Sequence, residues 1–300
     1  MLEIWVILAL ISAVLYGLKD ILSKKVLKDT TITPNQILFG EFLLGAFLLL
    51  LFFSPSIDFS AFAEFWHLLI LKAFFLGSSA FLYLSLMSKH EISQVSPLIN
   101  LSPLFLLVLS AVILNEVISL LNFIGILLIL FATYILEVTI HHHPRRLPHK
   151  FHLKDLKNKD WGFYITAVVT LLCFSFTALI DDIIFSMGMD PYTNLFYTCV
   201  LIVSVLLLRY LEKQSLKDVL YKLYRFPQAL GIGLLNITSN LFILFAIAHP
   251  ASLVSLVVPL RRTSTFFSAI GGGLLFHENH MGKKSIALVI MLVGVFFIVW

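Results

Sequence analysis

The sequence predicts an all-α membrane protein with ten transmembrane helices. Its composition and the length of its apolar segments are the observations that predict this fold class. Of 300 residues, 59% are hydrophobic and 13% are charged, whereas a soluble domain has about 45–50% and about 25%. The apolar residues form long blocks, and a helix needs about 20 residues to cross the hydrocarbon core. Residues 42–53 and 287–300 are apolar on every face, which excludes the alternating strands of a membrane β-barrel.

The apolar blocks give ten predicted spans. They lie near residues 4–22, 36–53, 65–87, 94–115, 119–137, 162–187, 191–208, 228–248, 252–276 and 284–300. The first span is longer than the apolar region of a signal peptide, so it is interpreted as a retained helix. Cys173 and Cys199 both lie inside spans, so no disulfide framework is expected.

Scarce residues recur between the two halves of the chain. A shift of 162 residues aligns Pro97 with Pro259, Leu98 with Leu260, Glu116 with Glu278 and Asp20 with Asp182. Such a recurrence indicates an internal repeat. Each half has five predicted helices, an odd number, so the second half must enter the membrane with the opposite orientation. The sequence therefore predicts two inverted five-helix repeats, residues 1–140 and 161–300, joined by a basic, His-rich linker, residues 141–160.

The distribution of charge supports this topology independently. The loops after odd-numbered spans contain 17 lysines and arginines, and the loops after even-numbered spans contain none. By the positive-inside rule the odd-numbered loops are cytoplasmic, which places both termini outside. Because the basic residues lie between spans, the sequence pI of about 9.0 indicates contact with membrane lipid and not with nucleic acid.

The linker carries neighbouring histidines, His141, His142 and His143. On a basic segment that also contains prolines, such histidines are more typical of a solvated, lipid-facing stretch than of a metal site. The sequence predicts no metal and no cofactor.

Charged residues inside spans are candidates for function, because a charge at the centre of a bilayer costs about 2.5–3.5 kcal/mol on insertion scales. Eight qualify: Lys19, Asp20, Glu41, Lys72, Asp181, Asp182, Arg261 and Arg262. Equal numbers of each sign leave mutual pairing open. Lys19 and Asp20 lie near the end of the first predicted span, where extension of the side chain to the membrane surface is the favoured interpretation.

Arg261 and Arg262 are more difficult to place against lipid. Neighbours on a helix point about 100° apart, so one acidic partner does not cover both, and at least one is expected to face a polar interior. The arginine fork suits a carboxylate or a phosphate. An anionic or zwitterionic solute is one hypothesis for these arginines, and pairing with Glu41, Asp181 or Asp182 is the other.

Pro97 and Pro259 lie inside spans at matching positions of the two halves. Broken helices at corresponding sites of two repeats indicate a central transporter site, although proline kinks also occur in purely structural membrane helices. The candidate substrate-binding residues are Arg261, Arg262, Pro97, Pro259, Asn100, Asn236, Asn240 and Ser78. The candidates for coupling to an ion gradient are Asp182 first, then Asp20 and Glu41. Glu116 and Glu278, at span ends, are expected to fix loops.

No enzyme signature stands out. The Asp181–Asp182 pair lacks the further acidic residue of a metal-diphosphate site, and no nucleophile and base occur as a pair. Residues 271–273, all glycine, lie in an apolar helix without a lysine that could hold a phosphate. The sequence therefore predicts a protein that is not an enzyme.

The motifs that recur between the halves resemble the paired EamA domains of the drug/metabolite transporter superfamily. These are residues 94–98, Pro103, Glu116, Ser119 and Gly125 in the first half and residues 255–262, Glu278 and Gly294 in the second. The resemblance implies an inverted five-plus-five bundle with alternating access. It also implies a central cavity, lined by the third, fourth, eighth and ninth helices among others. Such families transport amino acids, nucleotide sugars, drugs and other metabolites, so the substrate does not follow.

This chain departs from the family pattern in two respects. Relatives have both termini in the cytoplasm, whereas the charges here place them outside. Many relatives have an arginine early in the second span, where this chain has Glu41.

The resulting hypothesis is a secondary transporter of a small metabolite in the cell membrane. A membrane-embedded enzyme acting on lipid and a non-transporting scaffold or receptor are the alternatives. Pairing of all eight charges without a cavity would favour the scaffold. The sequence is also compatible with a homodimer.

Overall fold

The computed structural model describes residues 3–89, 99, 101–140, 161–212, 216–265, 267 and 281–299. Every regular element in these ranges is a helix. The α-helices are α1 Ile4–Asp29, α2 Pro34–Phe53, α3 Ala61–Lys89, α4 Ser102–Ile113, α5 Leu120–Ile140, α6 Trp161–Ser186, α7 Pro191–Glu212, α8 Leu216–Arg225, α9 Pro227–Ile247, α10 Val254–Arg261 and α11 Met281–Val299. A 3₁₀ turn, Ser54–Ser56, follows α2.

Six helices are long and apolar enough to cross a membrane. They cover Ile4–Leu27, Pro34–Ser56, Ala61–Tyr83, Trp161–Ser186, Pro191–Leu211 and Pro227–Ile247. Three shorter apolar helices cover Ser102–Ile113, Leu120–Ile135 and Val289–Ile298. Parts of the fourth and ninth predicted spans lie outside the described residues, so the number of ten stays a prediction.

Local sequence explains where several helices begin. Pro34, Pro191 and Pro227 each occupy the first position of a helix, where the missing N–H would have no partner in any case. At the start of α2 the side chain of Gln36 accepts a hydrogen bond from the Thr33 N–H at 2.9 Å, which completes a capping box.

Two elements differ from the prediction. Helix α1 continues past residue 22 to Asp29, so Lys19 and Asp20 lie inside the helix and not in its last turn. Helix α8 falls in a segment that was predicted to be a loop. Only Val219 and Leu223 of α8 are buried, which is too few apolar positions to stand out in a basic segment.

The long helices pack in pairs. Helix α1 lies along α9, α3 along α6, α5 along α11 and α2 along α7. The short helix α10 contacts α1, α4 and α5. The largest buried apolar cluster includes Leu106, Ile129, Leu244 and Leu260, so α10 lies within the core.

Contacts between loops identify the two ends of the bundle. The Asp58 N–H donates to Thr193 Oγ1 at 2.9 Å, and the Tyr197 hydroxyl donates to the Phe59 carbonyl at 3.0 Å. The loop after α2 therefore lies beside the start of α7. At another place a second apolar cluster joins Val26 of α1 to Leu223 of α8, so the basic segments after α1 and α7 lie at one end.

Helices α5 and α11 approach closely through glycines. A Cβ atom at Gly125 would lie 2.7 Å from the Gly294 carbonyl oxygen, and one at Gly294 would lie 2.8 Å from the Gly125 carbonyl oxygen. The Asn122 side-chain amide donates to the Ile298 carbonyl at 3.0 Å across the same interface. Small residues of this kind allow membrane helices to pack backbone against backbone.

We expect Gly125→Ala to lower the melting temperature of the protein in detergent, since the added methyl group meets backbone atoms that cannot move aside. Overpacking of this kind costs about 1–3 kcal/mol. The matched control is Gly77→Ala, because a Cβ there has its closest neighbour at 3.8 Å, Ile202 Cγ1. Equal melting temperatures for the two variants would contradict the close approach.

Candidate functional site

Helix α10 is short and is fixed at its first turn by an acidic residue from elsewhere in the chain. The Glu116 carboxylate accepts hydrogen bonds from the Val254 N–H at 2.8 Å and from the Ser255 N–H at 3.3 Å. These are N–H groups that a helix leaves without partners at its start. Glu116 therefore has the loop-fixing role that the sequence predicts for it.

The other end of α10 is shaped by Pro259. Proline has no N–H to bond the carbonyl four residues earlier, which belongs to Ser255. The helix ends at Arg261, and the Arg262 N–H turns back to the Pro259 carbonyl at 3.0 Å. The predicted interruption near Pro259 is therefore present, and it places both arginines at the end of the broken helix.

Arg261 is held by neutral groups. Its Nη2 donates to Asn240 Oδ1 of α9 at 2.8 Å, and its guanidinium carbon lies 4.5 Å from the centre of the Tyr16 ring of α1. The Asn240 amide in turn donates to Asn236 Oδ1 at 3.2 Å. Within the described part of the chain, no carboxylate lies at ion-pairing distance from Arg261.

Lys19 lies on the opposite side of this cluster and has an acidic partner. Its Nζ is 4.0 Å from Glu41 Oε1 and 4.5 Å from the centre of the Tyr16 ring, so Tyr16 contacts both cations. Glu41 is 6% exposed. The interpretation that Lys19 extends to the membrane surface is therefore wrong, because α1 continues beyond it and Glu41 of α2 holds it inside the bundle.

Asp20 follows Lys19 in the chain but differs from it in having no ion-pair partner among the described residues. The positive charges of Lys19, Arg261 and Arg262 act on its carboxylate. The described residues nevertheless provide it with no hydrogen bond and no ion pair within contact distance. Asp20 is partly exposed, so it is an acidic group beside a cationic cluster that is not closed off by a contact partner among the described residues.

Arg262 points away from Arg261, as neighbours on a helix must. Its Nη2 donates to the Ser102 hydroxyl of α4. The Ser102 carbonyl accepts a hydrogen bond from Ser175 of α6 at 3.0 Å. Arg261 therefore contacts α1 and α9, whereas Arg262 contacts α4.

Lys72, Asp181 and Asn194 form a closed triangle deep in the bundle. Lys72 Nζ is 2.5 Å from Asp181 Oδ1 and donates to Asn194 Oδ1 at 2.9 Å, and the Asn194 amide donates to Asp181 Oδ1 at 2.8 Å. Lys72 is 2% and Asp181 is 5% exposed. Mutual pairing therefore accounts for these two charges, and the triangle ties α3 to α6 and α7.

Asp182 follows Asp181 but lies outside the triangle. The charged groups that act on it are the carboxylates of Glu116 and Asp181. Among the described residues it has no ion pair and no hydrogen-bond partner for its side chain. Of the three coupling candidates, Asp182 alone faces only like charge.

The structure brings together some of the predicted substrate-binding residues. Arg261, Asn236 and Asn240 are in one hydrogen-bonded chain, and Pro259 shapes the turn beneath it. Ser78 lies on α3 and is partly buried. None of the described contacts joins it to these hydrogen-bonded residues. Pro97 and Asn100 lie outside the described residues, and so does Glu278.

Sequence reasoning missed three residues of these clusters: Tyr16, Ser102 and Asn194. Tyr16 precedes Lys19 and Asp20 by three and four positions, which places it on their face of α1. That spacing was a usable signal. Ser102 and Asn194 gave no such signal, because their roles depend on which helices are neighbours.

The arrangement can bind opposite charges close together. The planar fork of Arg261 suits a carboxylate or phosphate, and the Asp20 carboxylate suits an ammonium group. In the described ranges no group of three His, Cys, Asp or Glu residues is placed to hold a metal ion. The linker histidines, for which a solvated role was predicted, are not among the described residues.

We expect Lys72→Met to destabilise the protein by about 3–5 kcal/mol, because it leaves the Asp181 carboxylate buried without its cation. The double variant Lys72→Met with Asp181→Asn should recover much of the loss, since Asn194 can still bond the new amide. Thermal melting in a neutral detergent measures both. An exposed lysine, Lys217, provides the control Lys217→Met, and a double variant no more stable than Lys72→Met alone would contradict the pairing.

Comparison with known proteins finds a family model that matches the first part of the chain. The model of the EamA-like transporter family matches residues 3–138. Among 29 matching chains of solved structures, one crystal structure of a protein has a TM-score of 0.75 and 13% sequence identity, covering 99% of this chain and 98% of the other. At that identity the similarity establishes the fold alone. No curated protein sequence matches the chain. The chain therefore carries an EamA-like domain over residues 3–138, and together with the six long apolar helices this identifies it as an integral membrane protein.

Proposed function

We propose that this protein is a secondary transporter that moves a small anionic or zwitterionic metabolite across the cell membrane by alternating access. The observation that carries the proposal is Arg261. A guanidinium inside the bundle, at the end of a broken helix, is held by an amide oxygen and an aromatic ring and has no carboxylate partner among the described residues. A charge inside a membrane bundle without a counter-charge is costly, and an anionic group of a solute would supply one.

The helix packing supports the inverted repeat. A shift of 162 residues relates α1 to α6, α2 to α7, α3 to α9 and α5 to α11. Under this exchange the pair α1–α9 becomes α6–α3, and both pairs are in contact. The pairs α2–α7 and α5–α11, also in contact, become themselves, as expected for two halves related by a two-fold axis.

Small residues at the α5–α11 interface support the same register. The shift of 162 residues places Gly125 opposite Ala287 and Ala132 opposite Gly294 in the alignment of the halves. Ala132 and Ala287 are fully buried, and both glycines are in close contact across the interface. This packing supports the proposed division of the chain into a first repeat of residues 1–140, a linker of residues 141–160 and a second repeat of residues 161–300.

Helix α10 is the element best suited to move. It is short, it has a proline near its end, and it lies between helices of both halves. In the proposed mechanism the Pro259 helix, with its predicted counterpart at Pro97, rocks around the Arg261 site and exposes it to one side and then to the other.

Unpaired charges favour a transporter over a scaffold. A scaffold would be expected to pair all its intramembrane charges, as Lys19 with Glu41 and Lys72 with Asp181 do. Arg261, Asp20 and Asp182 have no such contact in the described part of the chain. Asp20 beside Arg261 suits the ammonium end of a zwitterion. In the proposed orientation both termini lie outside the cell, because the basic loops then face the cytoplasm.

We expect Arg261→Lys to weaken the apparent affinity for the transported solute about 10- to 100-fold, while the protein still folds. Lysine lacks the planar fork of arginine, and a hydrogen bond to a charged group contributes about 1.5–3 kcal/mol. The measurement is counterflow into proteoliposomes with radiolabelled L-glutamate, L-alanine, succinate and inorganic phosphate. Arg262→Lys should have a smaller effect on affinity, since Ser102 already holds that side chain.

The control for this experiment is Arg209→Lys, at an exposed position of α7. An Arg261→Lys protein with unchanged affinity and a lowered melting temperature would show that Arg261 is structural and would overturn the anion site. Counterflow no greater than in empty liposomes for every probe would count against transport of these solute classes.

We expect Asp182→Asn to abolish uphill transport driven by a proton gradient while counterflow of the same solute continues. An amide cannot take up and release the proton, whereas exchange without a gradient needs no proton. Asp218→Asn, at an exposed position of α8, is the control. Uphill transport that persists in Asp182→Asn would transfer the assignment to Asp20 or Glu41.

A further inference from the structure

Helix α8 is firmly docked on one end of the bundle. Val219 and Leu223 are 1% and 5% exposed, and they pack in the apolar cluster with Val26 of α1 and Phe39 of α2. Leu223 rests on Gly40, where a Cβ atom would lie 2.8 Å from Leu223 Cδ2. The inner face of α8 is therefore part of the folded core.

The outer face of α8 is too apolar for a surface in water alone. Leu220, Tyr221 and Tyr224 are 45%, 59% and 85% exposed. Tyrosine is enriched where a membrane protein meets the interface, because its ring is apolar and its hydroxyl is polar. An amphipathic helix of this composition is typical of a segment lying in the membrane interface.

The same helix and its surroundings carry positive charge without acidic partners. Arg209 at the end of α7 and Lys217, Lys222 and Arg225 of α8 form no ion pair with any described residue. Asp218 is the acidic residue among those described in α8. Arg225 makes only a long hydrogen bond of 3.4 Å to the Tyr221 hydroxyl.

The location of α8 determines what these charges meet. The apolar window of α7 ends at Leu211 and that of α9 begins at Pro227, and α8 lies between them in the chain. It therefore connects two membrane spans at the level where the hydrocarbon core gives way to headgroups. Basic side chains at this level attract anionic lipid headgroups.

We propose that α8, with Arg209, is a binding surface for anionic phospholipid headgroups, in which Lys217, Lys222 and Arg225 contact the phosphates while Tyr221 and Tyr224 insert at the interface. Because Leu223 holds α8 against Gly40, lipid bound on the outer face stabilises the packing of α8 on α2. A ligand that binds only the folded state raises the melting temperature.

The test uses the full-length protein in a neutral detergent, with phosphatidylglycerol or phosphatidylcholine of the same acyl chains added. We expect phosphatidylglycerol to raise the melting temperature more than phosphatidylcholine does, and 500 mM NaCl to reduce the difference. In the triple variant that combines Lys217→Gln, Lys222→Gln and Arg225→Gln, the difference in melting temperature between the two lipids should fall to less than half. The matched control, Lys217→Arg, Lys222→Arg, Arg225→Lys, keeps the positive charge of α8 and should retain the difference.

A second measurement does not depend on stability. Tyr224→Cys, labelled with an environment-sensitive fluorophore and reconstituted in phosphatidylglycerol vesicles, should be quenched by a spin label on the lipid headgroup. Equal stabilisation by the two lipids, equal loss in the charge-conserving control, or a fluorophore at position 224 that only water-soluble quenchers reach would each overturn the proposal. None of these readouts requires transport. A failure of the lipid-binding proposal can therefore be distinguished from a failure of the proposed transport function.

Discussion

The cost of placing a charge in a low-dielectric bundle constrains the rest of this structure. Each of the eight predicted intramembrane charges must have a partner of opposite sign, a set of neutral donors and acceptors, or access to a polar solute. The described residues show the first two solutions, and the proposed transport function supplies the third. Lys72 and Asp181 pair with the help of Asn194, and Lys19 pairs with Glu41. Arg261 relies on Asn240 and Tyr16. The charges without a contact partner are concentrated around α10 and α6.

Helix α10 links these clusters because a carboxylate bonds its first turn and Arg261 lies at its end. Its apolar side chains pack in the core. Pro259 removes one of the few internal hydrogen bonds that so short a helix can form, and the Glu116 carboxylate satisfies N–H groups at its start. Glu116 also acts electrostatically on Asp182. In the proposed mechanism, Glu116 therefore connects the charge at Asp182 to the start of the eight-residue helix that ends at Arg261.

Sequence alone could predict the features that depend on local chemistry. The presence of the six long helices follows from apolar length, and the end of α10 follows from Pro259. The partners of the charges could not be predicted, because they depend on which helices are neighbours. Lys19 was assigned to a helix end since the apolar block stops near residue 22, but tertiary packing extends α1 to Asp29. Helix α8 was missed for the related reason that Val219 and Leu223 become a core face only when Gly40 lies beneath them.

In the proposed repeat, Lys19 and Asp20 of α1 correspond to Asp181 and Asp182 of α6. In both dyads the first residue forms an ion pair, and the second carboxylate has no contact partner among the described residues. Their surroundings differ in sign, because cations act on Asp20 and carboxylates act on Asp182. In the proposed transport mechanism, the two halves would thus present opposite electrostatic environments to a solute between them. One carboxylate would then take part in binding a charged solute while the other exchanges a proton.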